Sequence, residues 1–233
     1  MSALPLLRLA VVGHGKMGRA VEALAAERGF EVVAVVRSGT AITREALGGA
    51  DVAVEFTEPG AAPANLRACV AAGCPVVTGT TGWYDELEQV SEEVWQRTGA
   101  LLWAANFSVG VHLFARMVRE AARLVRTVPA FDAHLVETHH AAKKDAPSGT
   151  AKLLASATGS ALGRDVPVTS VRTGSVPGTH ELIFDGPFEQ LRIEHVARDR
   201  RVFAAGALVA SHWLAGKRGV FTMRDILGAE SGG

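Results

Sequence analysis

The first hundred residues alternate short runs of β-forming apolar residues with helix-forming segments, and this alternation limits the fold more than any other feature. The strand-like runs are 6–12, 31–36, 51–57, 75–78 and 100–104, and the helix-like segments are 19–28, 62–72 and 85–96. The strand-like runs are apolar on both faces, which is typical of parallel strands covered by helices on each side. The alternation therefore predicts an α/β fold with a doubly wound parallel sheet.

The pattern changes after residue 107. A long helical segment at 109–126 precedes strand-like runs at 131–138, 166–172, 179–184 and 189–197, with a second helix at 150–162. Separators rich in glycine and proline, at 174–178 and 185–187, indicate hairpin connections. These features predict an α+β region with a mostly antiparallel sheet, followed by a helix at 202–214 that returns to the first region. The expected domains are residues 1–107, completed by 209–233, and residues 108–208.

Composition and charge exclude several classes of protein. Acidic and basic residues balance at 24 each, so the chain lacks the basic excess of a nucleic-acid-binding protein. No apolar run approaches the ~18–20 residues that cross a bilayer, and residues 1–12 lack the basic leader of a signal peptide. The two cysteines, Cys69 and Cys74, lie in apolar surroundings, which predicts core residues and not a disulfide scaffold. We expect a cytoplasmic protein with neither nucleic-acid nor membrane partners.

A glycine-rich turn lies where the first strand passes into the first helix, with the sequence Gly13-His14-Gly15-Lys16-Met17-Gly18. At such a junction glycines let backbone N–H groups approach a pyrophosphate, and the helix N-terminus adds partial positive charge. A tight turn without a ligand is the alternative. The position of the turn, after an N-terminal apolar strand and within a βαβ pattern, favours a Rossmann-like dinucleotide-binding domain.

The end of the second strand bears on the choice of cofactor. An NAD-specific site usually places Asp or Glu there to bind the ribose hydroxyls, whereas this chain has Arg37 followed by Ser38. A guanidinium and a hydroxyl suit the 2′-phosphate of NADP, and a solvent-exposed arginine is the alternative. In this fold the ends of the later strands face the same crevice. The candidate cofactor contacts at these strand ends are Phe56, Thr57, Gly79, Thr80, Thr81, Ala104, Ala105, Asn106 and Phe107.

A basic loop between a predicted strand and a predicted helix is the most informative segment. It runs Glu137-Thr138-His139-His140-Ala141-Ala142-Lys143-Lys144-Asp145-Ala146-Pro147-Ser148-Gly149-Thr150. Ser148 or Thr150 can cap the helix, and the amides of Gly149 and Thr150 then form an anion site suited to a carboxylate. His139, His140 and Lys143 add positive charge and exchangeable protons. The loop predicts a small polyanionic substrate that is protonated during the reaction.

Other interpretations of this loop account for less of it. His139 and His140 lack a third ligand at a spacing typical of metal sites, so we predict no metal. A phosphate-binding P-loop would need Gly-Lys-Ser or Gly-Lys-Thr, and this segment has neither. A solvated basic loop that only caps the helix is the remaining alternative.

The same loop resembles the signature of a known family. Its pattern Glu-x-His-His-x-x-Lys-x-Asp-Ala-Pro-Ser-Gly-Thr-Ala is similar to that of 4-hydroxy-tetrahydrodipicolinate reductase (dihydrodipicolinate reductase) of bacterial lysine biosynthesis. Further segments that fall in family order are 15–19, 56–57, 79–82, 104–110, 172–180, 203–207 and 213–227. The likeness therefore covers nearly the whole chain.

The resemblance implies roles for individual residues. His139 matches the family's proton donor/acceptor and Lys143 matches its proton donor. His140, Gly149 and Thr150 match its site for the substrate carboxylate. The positions that match its cofactor site are Gly13, Gly15, Lys16, Met17, Arg37, Gly79, Thr80, Thr81, Ala104, Ala105, Asn106 and Phe107. The implied reaction is the reduction of a small cyclic dicarboxylate by NADPH or NADH, and Arg37 favours NADPH. The resemblance also implies a homotetramer built through the sheet of the second domain.

Two other functions share part of this pattern. Another dehydrogenase of amino-acid metabolism, such as an aspartate dehydrogenase, could have the same glycine turn and domain order. A regulatory protein that senses a dinucleotide could have both kinds of domain. Neither function accounts for His139, His140 and Lys143 in one loop, so reduction of the dicarboxylate is the expected activity.

Overall fold

The computed structural model of this chain describes residues 6–228, which form two compact units. The first unit comprises the residues up to Ser108 and those from Phe203 onward, and the second unit is Val109–Val202. Each unit has its own cluster of buried apolar side chains. The C-terminal segment therefore belongs with the N-terminal one.

The described residues form strands and helices in nearly the predicted places. The strands are β1 (Leu7–Val12), β2 (Phe30–Val36), β3 (Val52–Glu55), β4 (Val76–Thr78), β5 (Ala100–Trp103), β6 (Asp132–His139), β7 (Val168–Arg172), β8 (Thr179–Asp185), β9 (Gln190–Val196) and β10 (Gly219–Phe221). The helices are α1 (Lys16–Ala25), α2 (Ala62–Ala71), α3 (Leu87–Gln96), α4 (Val109–Val125), α5 (Gly149–Leu162), α6 (Arg201–Leu214) and α7 (Met223–Ile226), with 3₁₀ turns at Ala26–Arg28 and Tyr84–Glu86. The strand β10 and the helix α7 were not predicted, because three or four residues are too few to show a periodicity.

The first unit is built on a six-stranded parallel sheet with the strand order β2-β1-β3-β4-β5-β10. Every neighbouring pair in this order is parallel, which confirms the predicted doubly wound sheet. Leu9, Ala10 and Val11 of β1 are fully buried, as expected for a strand that is covered on both faces. The direction of winding changes between β1 and β3, and open α/β sheets bind ligands at the carboxyl end of such a switch point.

The second unit contains a four-stranded sheet with the order β7-β6-β8-β9. The pairs β6–β8 and β8–β9 are antiparallel and the pair β6–β7 is parallel, so the prediction of a mostly antiparallel sheet is confirmed. The hairpin predicted at 185–187 is present, but the one at 174–178 is wrong. The strands β7 and β8 lie on opposite sides of β6. The helix α5 makes a crossover from β6 to β7, and a crossover of this kind leaves the two strands parallel.

Two further predictions concern membrane-spanning helices and the two cysteines. Among residues 6–228, every helix is too short or too polar to span a bilayer. Cys69 and Cys74 are buried free thiols, as predicted for core residues.

Candidate active site

One face of the second sheet changes from apolar to polar along its length. Burial alternates along β6, so that Leu135, Glu137 and His139 share the buried side. Leu135 pairs with Leu182 of β8 inside the apolar core, whereas Glu137 pairs with His180. The polar end of this face therefore holds a carboxylate and two imidazoles away from water. Such groups need partners, because burying an unpaired charge is very unfavourable.

Glu137 is the centre of this polar cluster and is fully buried. Its Oε1 accepts hydrogen bonds from the guanidinium of Arg172, at 2.6 Å, and from the backbone N–H of Ser148, at 3.3 Å. Burial acts to raise the pKa of Glu137, but the hydrogen bonds from Arg172 and Ser170 and the charge of His139 outweigh it and lower the pKa to about 2. Glu137 is therefore an anion at neutral pH, and it ties β6 to β7 and to the start of α5.

His139 lies against this carboxylate, with its Nδ1 in contact with Oε2 of Glu137. Its ring also meets the ring of His180 edge-on, with 5.3 Å between the centroids. Burial lowers the pKa of His139, and the positive charges of Lys143 and Arg172 act in the same direction, against the opposing effect of Glu137. Burial, together with the charge of His139, lowers the pKa of His180 to about 4. Both rings are consequently mostly neutral at pH ~7.

The loop that follows β6 is fastened to the end of β7. The backbone N–H of Thr173 donates to the carbonyl of His139 at 2.9 Å, and that of Ala141 donates to the carbonyl of Gly174 at 3.1 Å. Arg172 also donates to the carbonyl of Asp145 at 2.6 Å. These bonds give the loop a defined course between two rigid elements.

Lys143 lies in this loop beside the buried histidines. Its Nζ donates to Oδ1 of Asp145 at 2.7 Å, and a quarter of its side chain is exposed. Its positive charge acts on both His139 and His180 and lowers the pKa of each. His140 is half-buried in the same loop. The structure thus brings the two predicted proton donors, His139 and Lys143, into one electrostatic cluster.

The helix α5 begins directly after the loop. The Oγ of Ser148 accepts a hydrogen bond from the N–H of Ala151 at 3.1 Å, which confirms the predicted cap. Gly149 and Thr150 are the first two residues of the helix, where amides point out of it and the helix dipole favours an anion. A Cβ added at Gly149 would meet nothing within 4 Å, so the space in front of it is open. The start of α5 therefore has the open space and the partial positive charge that suit an anion.

Glu137, His139 and His180 also bring one possible metal-ligand atom each within 4.8 Å of one another. The guanidinium of Arg172 already neutralises Glu137, and Lys143 adds a second positive charge nearby. These charges repel a further cation. The charges around these three side chains therefore disfavour a metal cation among them.

In the first unit, the predicted glycine turn leaves room for a ligand. Gly13 follows β1 with a φ of +89°, and a Cβ there would lie 2.2 Å from the carbonyl oxygen of Phe56. A Cβ on Gly18 would lie 1.9 Å from the carbonyl oxygen of Gly13, so α1 can pack against the turn only with glycine there. At Gly15, immediately before α1, a Cβ would meet nothing within 4 Å. An open space in front of a helix N-terminus fits a dinucleotide pyrophosphate.

Arg37 follows β2 and is directed toward the same turn. Its guanidinium lies 3.4 Å from Nδ1 of His14, whose Nε2 lies 2.6 Å from a carboxylate oxygen of Glu22 on α1. In Rossmann-like domains the end of this strand is where the adenosine ribose is recognised. The guanidinium is therefore placed where it could meet a 2′-phosphate.

A buried carboxylate organises the ends of β3 and β4. Glu55 is fully buried and accepts hydrogen bonds from the hydroxyls of Thr57 and Thr78, the second at 2.5 Å. The backbone N–H of Thr57 donates in turn to Oγ1 of Thr80 at 2.8 Å. This network fixes the two strand ends beside the glycine turn.

The remaining candidate cofactor residues differ in exposure. A Cβ on Gly79 would lie 2.0 Å from the ring of Phe56, so the backbone of Gly79 packs directly on that ring. Phe107 is only 2% exposed, and its side chain has little surface to offer a ligand. Ala104 is buried, whereas Lys16, Met17, Thr81, Ala105 and Asn106 are at least partly exposed.

Comparison with known proteins relates both units to a single family. The N-terminal part of the dihydrodipicolinate reductase family model matches residues 7–107, and its C-terminal part matches residues 110–227. The chain belongs to the dihydrodipicolinate reductase family. This membership confirms the resemblance found in the sequence and the enzyme class that it implied, an oxidoreductase of an NAD(P)H-dependent family.

Individual relatives extend over the same length. The 4-hydroxy-tetrahydrodipicolinate reductases of Christiangramia forsetii and Thiobacillus denitrificans are 32% and 35% identical, and each match covers 95% of this chain and 98% of the relative. A solved structure, dipicolinate-bound dihydrodipicolinate reductase from Paenisporosarcina sp. TG-14, superposes with a TM-score of 0.77 at 21% identity. That match covers 93% of this chain and 97% of the solved one, and it shows the same fold.

Three residues that shape the site have no role predicted from the sequence. Arg172 holds Glu137 across 35 residues of sequence, His180 faces Glu137 from β8, and Glu55 binds the threonines of the first unit. The sequence of β6 contains a partial indication of this polar cluster. Glu137 and His139 occupy alternate positions of a strand whose other inward positions are apolar, which marks a polar extension of a buried face.

Proposed function

We propose that this chain reduces 4-hydroxy-tetrahydrodipicolinate (dihydrodipicolinate) to tetrahydrodipicolinate with NAD(P)H, in the diaminopimelate route to lysine. The relatives from Christiangramia forsetii and Thiobacillus denitrificans carry the name of this activity. The observation that most strongly supports it is the buried pair of Glu137 and His139 with Lys143 beside it. A cyclic dicarboxylic imine needs both a proton source and a carboxylate site when it is reduced, and this cluster adjoins the start of α5.

Different residues of the second unit bind the substrate and supply its proton. When bound, the reduced nicotinamide supplies the hydride to the electron-poor ring. His140 and the amides of Gly149 and Thr150 hold a substrate carboxylate. His139 and Lys143 hold the proton that the ring takes up, and the positive charge of Lys143 stabilises the negative charge that develops on it. A substrate carboxylate competes with Asp145 for the ammonium of Lys143, because the two side chains are bonded to each other.

The residues of the first unit hold the dinucleotide. Gly13 and Gly15 at the start of α1 would hold its pyrophosphate, with Lys16 and Met17 in the first helical turn. The other candidate contacts lie at the ends of β4 and β5: Gly79, Thr80, Thr81, Ala104, Ala105, Asn106 and Phe107. Arg37 gives a preference for NADPH over NADH. The working enzyme is a homotetramer assembled through the sheet of the second unit, it acts in the cytoplasm, and it requires no metal.

A coupled assay tests this function. The substrate is generated freshly by condensing pyruvate with aspartate semialdehyde, and the oxidation of NADPH or NADH is followed by absorbance. We expect turnover that depends on both the condensation product and the nucleotide. Oxidation of aspartate by NADP without reduction of this product would instead indicate an aspartate dehydrogenase. NADPH binding without turnover would indicate a sensor of the dinucleotide.

A further inference from the structure

We propose that Glu137 is a positioning residue that holds His139 with a proton on Nδ1, so that Nε2 is the nitrogen that exchanges a proton with the substrate. This inference rests on the proposed function, which it deepens. The contacts of the two oxygens of Glu137 support this role.

The two oxygens of Glu137 have separate partners. Oε1 accepts from the guanidinium of Arg172 and from the N–H of Ser148, whereas Oε2 faces Nδ1 of His139. An ionised carboxylate can only accept hydrogen bonds, so the nitrogen that faces it carries the hydrogen. In a neutral imidazole the tautomer is set by the partner of one nitrogen, and here the lone pair is left on Nε2.

Glu137 is held so that it cannot turn away from His139. Its side chain is fully buried, and its anchors come from two different elements, Arg172 at the end of β7 and Ser148 at the start of α5. The other side of the imidazole is kept clear by a glycine. A Cβ on Gly178 would lie 3.1 Å from Nε2 of His139, so a larger residue there would crowd the proton-exchanging nitrogen.

Charge gives Glu137 a second effect on His139. The ionisable groups that face the imidazole are Glu137 on the same strand, His180 on β8, Arg172 on β7 and Lys143 in the loop. Burial and the two cations disfavour a protonated ring, and Glu137 is the described side chain that favours it. Without this carboxylate the pKa of His139 would fall further, and less of the residue would be protonated and ready to donate.

Kinetics on Glu137→Gln test the positioning role. Glutamine keeps an oxygen that can accept from Arg172 and Ser148, but it removes the charge. We expect kcat to fall at least about tenfold. We also expect the limb of the kcat profile that declines with rising pH to move about one unit lower, because the pKa of the donor is lower. In a His139→Gln background the second substitution should add little, since both act through one group.

Control and alternative variants keep this test decisive. Glu181→Gln removes a carboxylate from the neighbouring strand, where it accepts from Arg192 at 2.9 Å, and it should keep the wild-type rate and pH profile. Glu137→Asp retains the charge and should restore the pH profile in part. Additive effects of Glu137→Gln and His139→Gln, or an unshifted pH profile, would overturn the proposal.

A measurement without turnover separates this inference from the proposed function. Nitrogen-15 NMR of the wild-type protein at neutral pH should show His139 as the Nδ1–H tautomer, whatever substrate the enzyme uses. An Nε2–H tautomer would overturn the positioning role even if the reductase assay succeeded. Failure of the assay together with an Nδ1–H tautomer would reject the proposed function and leave the positioning of His139 intact.

Discussion

At the scale of single residues, Lys143 has competing partners. Its ammonium is bonded to Asp145 and also acts on the buried imidazoles of His139 and His180. Its neighbour Lys144 has the same charge and lies on the exposed side of the loop. The two adjacent lysines therefore allow the effect of position to be separated from the effect of charge.

Lys143→Ala should lower kcat by about 10²-fold or more, the size expected for the loss of a general acid. The dissociation constant of NADPH should change little, because the residue belongs to the second unit. Single-turnover oxidation of NADPH by stopped flow measures the effect directly. Lys144→Ala, the matched control, should react at the wild-type rate, and an equal rate for Lys143→Ala would remove that lysine from the chemistry.

Arg37→Ala should weaken NADPH binding by about tenfold or more and NADH binding much less. The reason is that a charge-assisted hydrogen bond to a phosphate contributes about 1.5–3 kcal/mol. Fluorescence titration with each nucleotide measures both constants. Arg97→Ala is the control. That exposed arginine precedes β5, so it lies at the amino ends of the parallel strands, whereas Arg37 lies at the carboxyl ends. Equal losses for the two nucleotides would contradict a 2′-phosphate site at Arg37.

At the scale of elements, Ser148 at the start of α5 makes both a local capping bond and contacts with residues of β6 and β8. Ser148 caps the helix with its hydroxyl, while its backbone N–H binds Glu137 and its Oγ lies 3.4 Å from Nε2 of His180. The cap was predictable, because serine before a helical segment is a local signal. Its contacts with Glu137 and His180 were not, because they depend on how the loop folds back on β6 and on how β8 pairs with β6.

Ser148→Ala should reduce the free energy of unfolding by about 0.5–2 kcal/mol, the cost of a lost N-cap. It should also raise KM for the substrate more than it lowers kcat, because the proposed carboxylate site is built on the first turn of the helix. Urea unfolding and steady-state kinetics measure the two effects. Ser160→Ala, an exposed serine of the same helix, should stay within about 0.5 kcal/mol of wild type. A Ser148→Ala protein as stable as the control would show that the cap contributes nothing.

At the scale of the whole molecule, the buried ionisable groups of the second unit make stability depend on pH. The pKa of His180 is lowered to about 4 and that of Glu137 to about 2, and burial also lowers those of His139 and His195. In each case the unfolded chain binds protons more readily than the folded one. The contribution of His180 is complete above pH ~6.5 and is lost toward pH ~4, and that of Glu137 is lost between pH ~4.5 and ~2.

We therefore expect the unfolding free energy of the second unit to decrease as the pH falls from ~7 to ~4, by up to about 1.4 kcal/mol per pH unit for each such histidine. Urea unfolding curves at several pH values in this range measure the slope. His180→Gln should flatten the slope, because the variant has lost a group that titrates differently in the two states. Parallel pH dependences for the variant and the wild type would contradict this origin.

The amino-acid sequence by itself determined the local and periodic features of this protein. Apolar runs on both faces fixed the parallel sheet, glycines fixed the turn before α1, and a polar loop between a strand and a helix located His139 and Lys143. Tertiary structure alone decided which distant side chains complete the cluster. Arg172 and His180 meet Glu137 only because β7 and β8 flank β6 on opposite sides. Strand order is a property of the folded sheet, and no local pattern encodes it, which is why the hairpin expected at 174–178 was wrong.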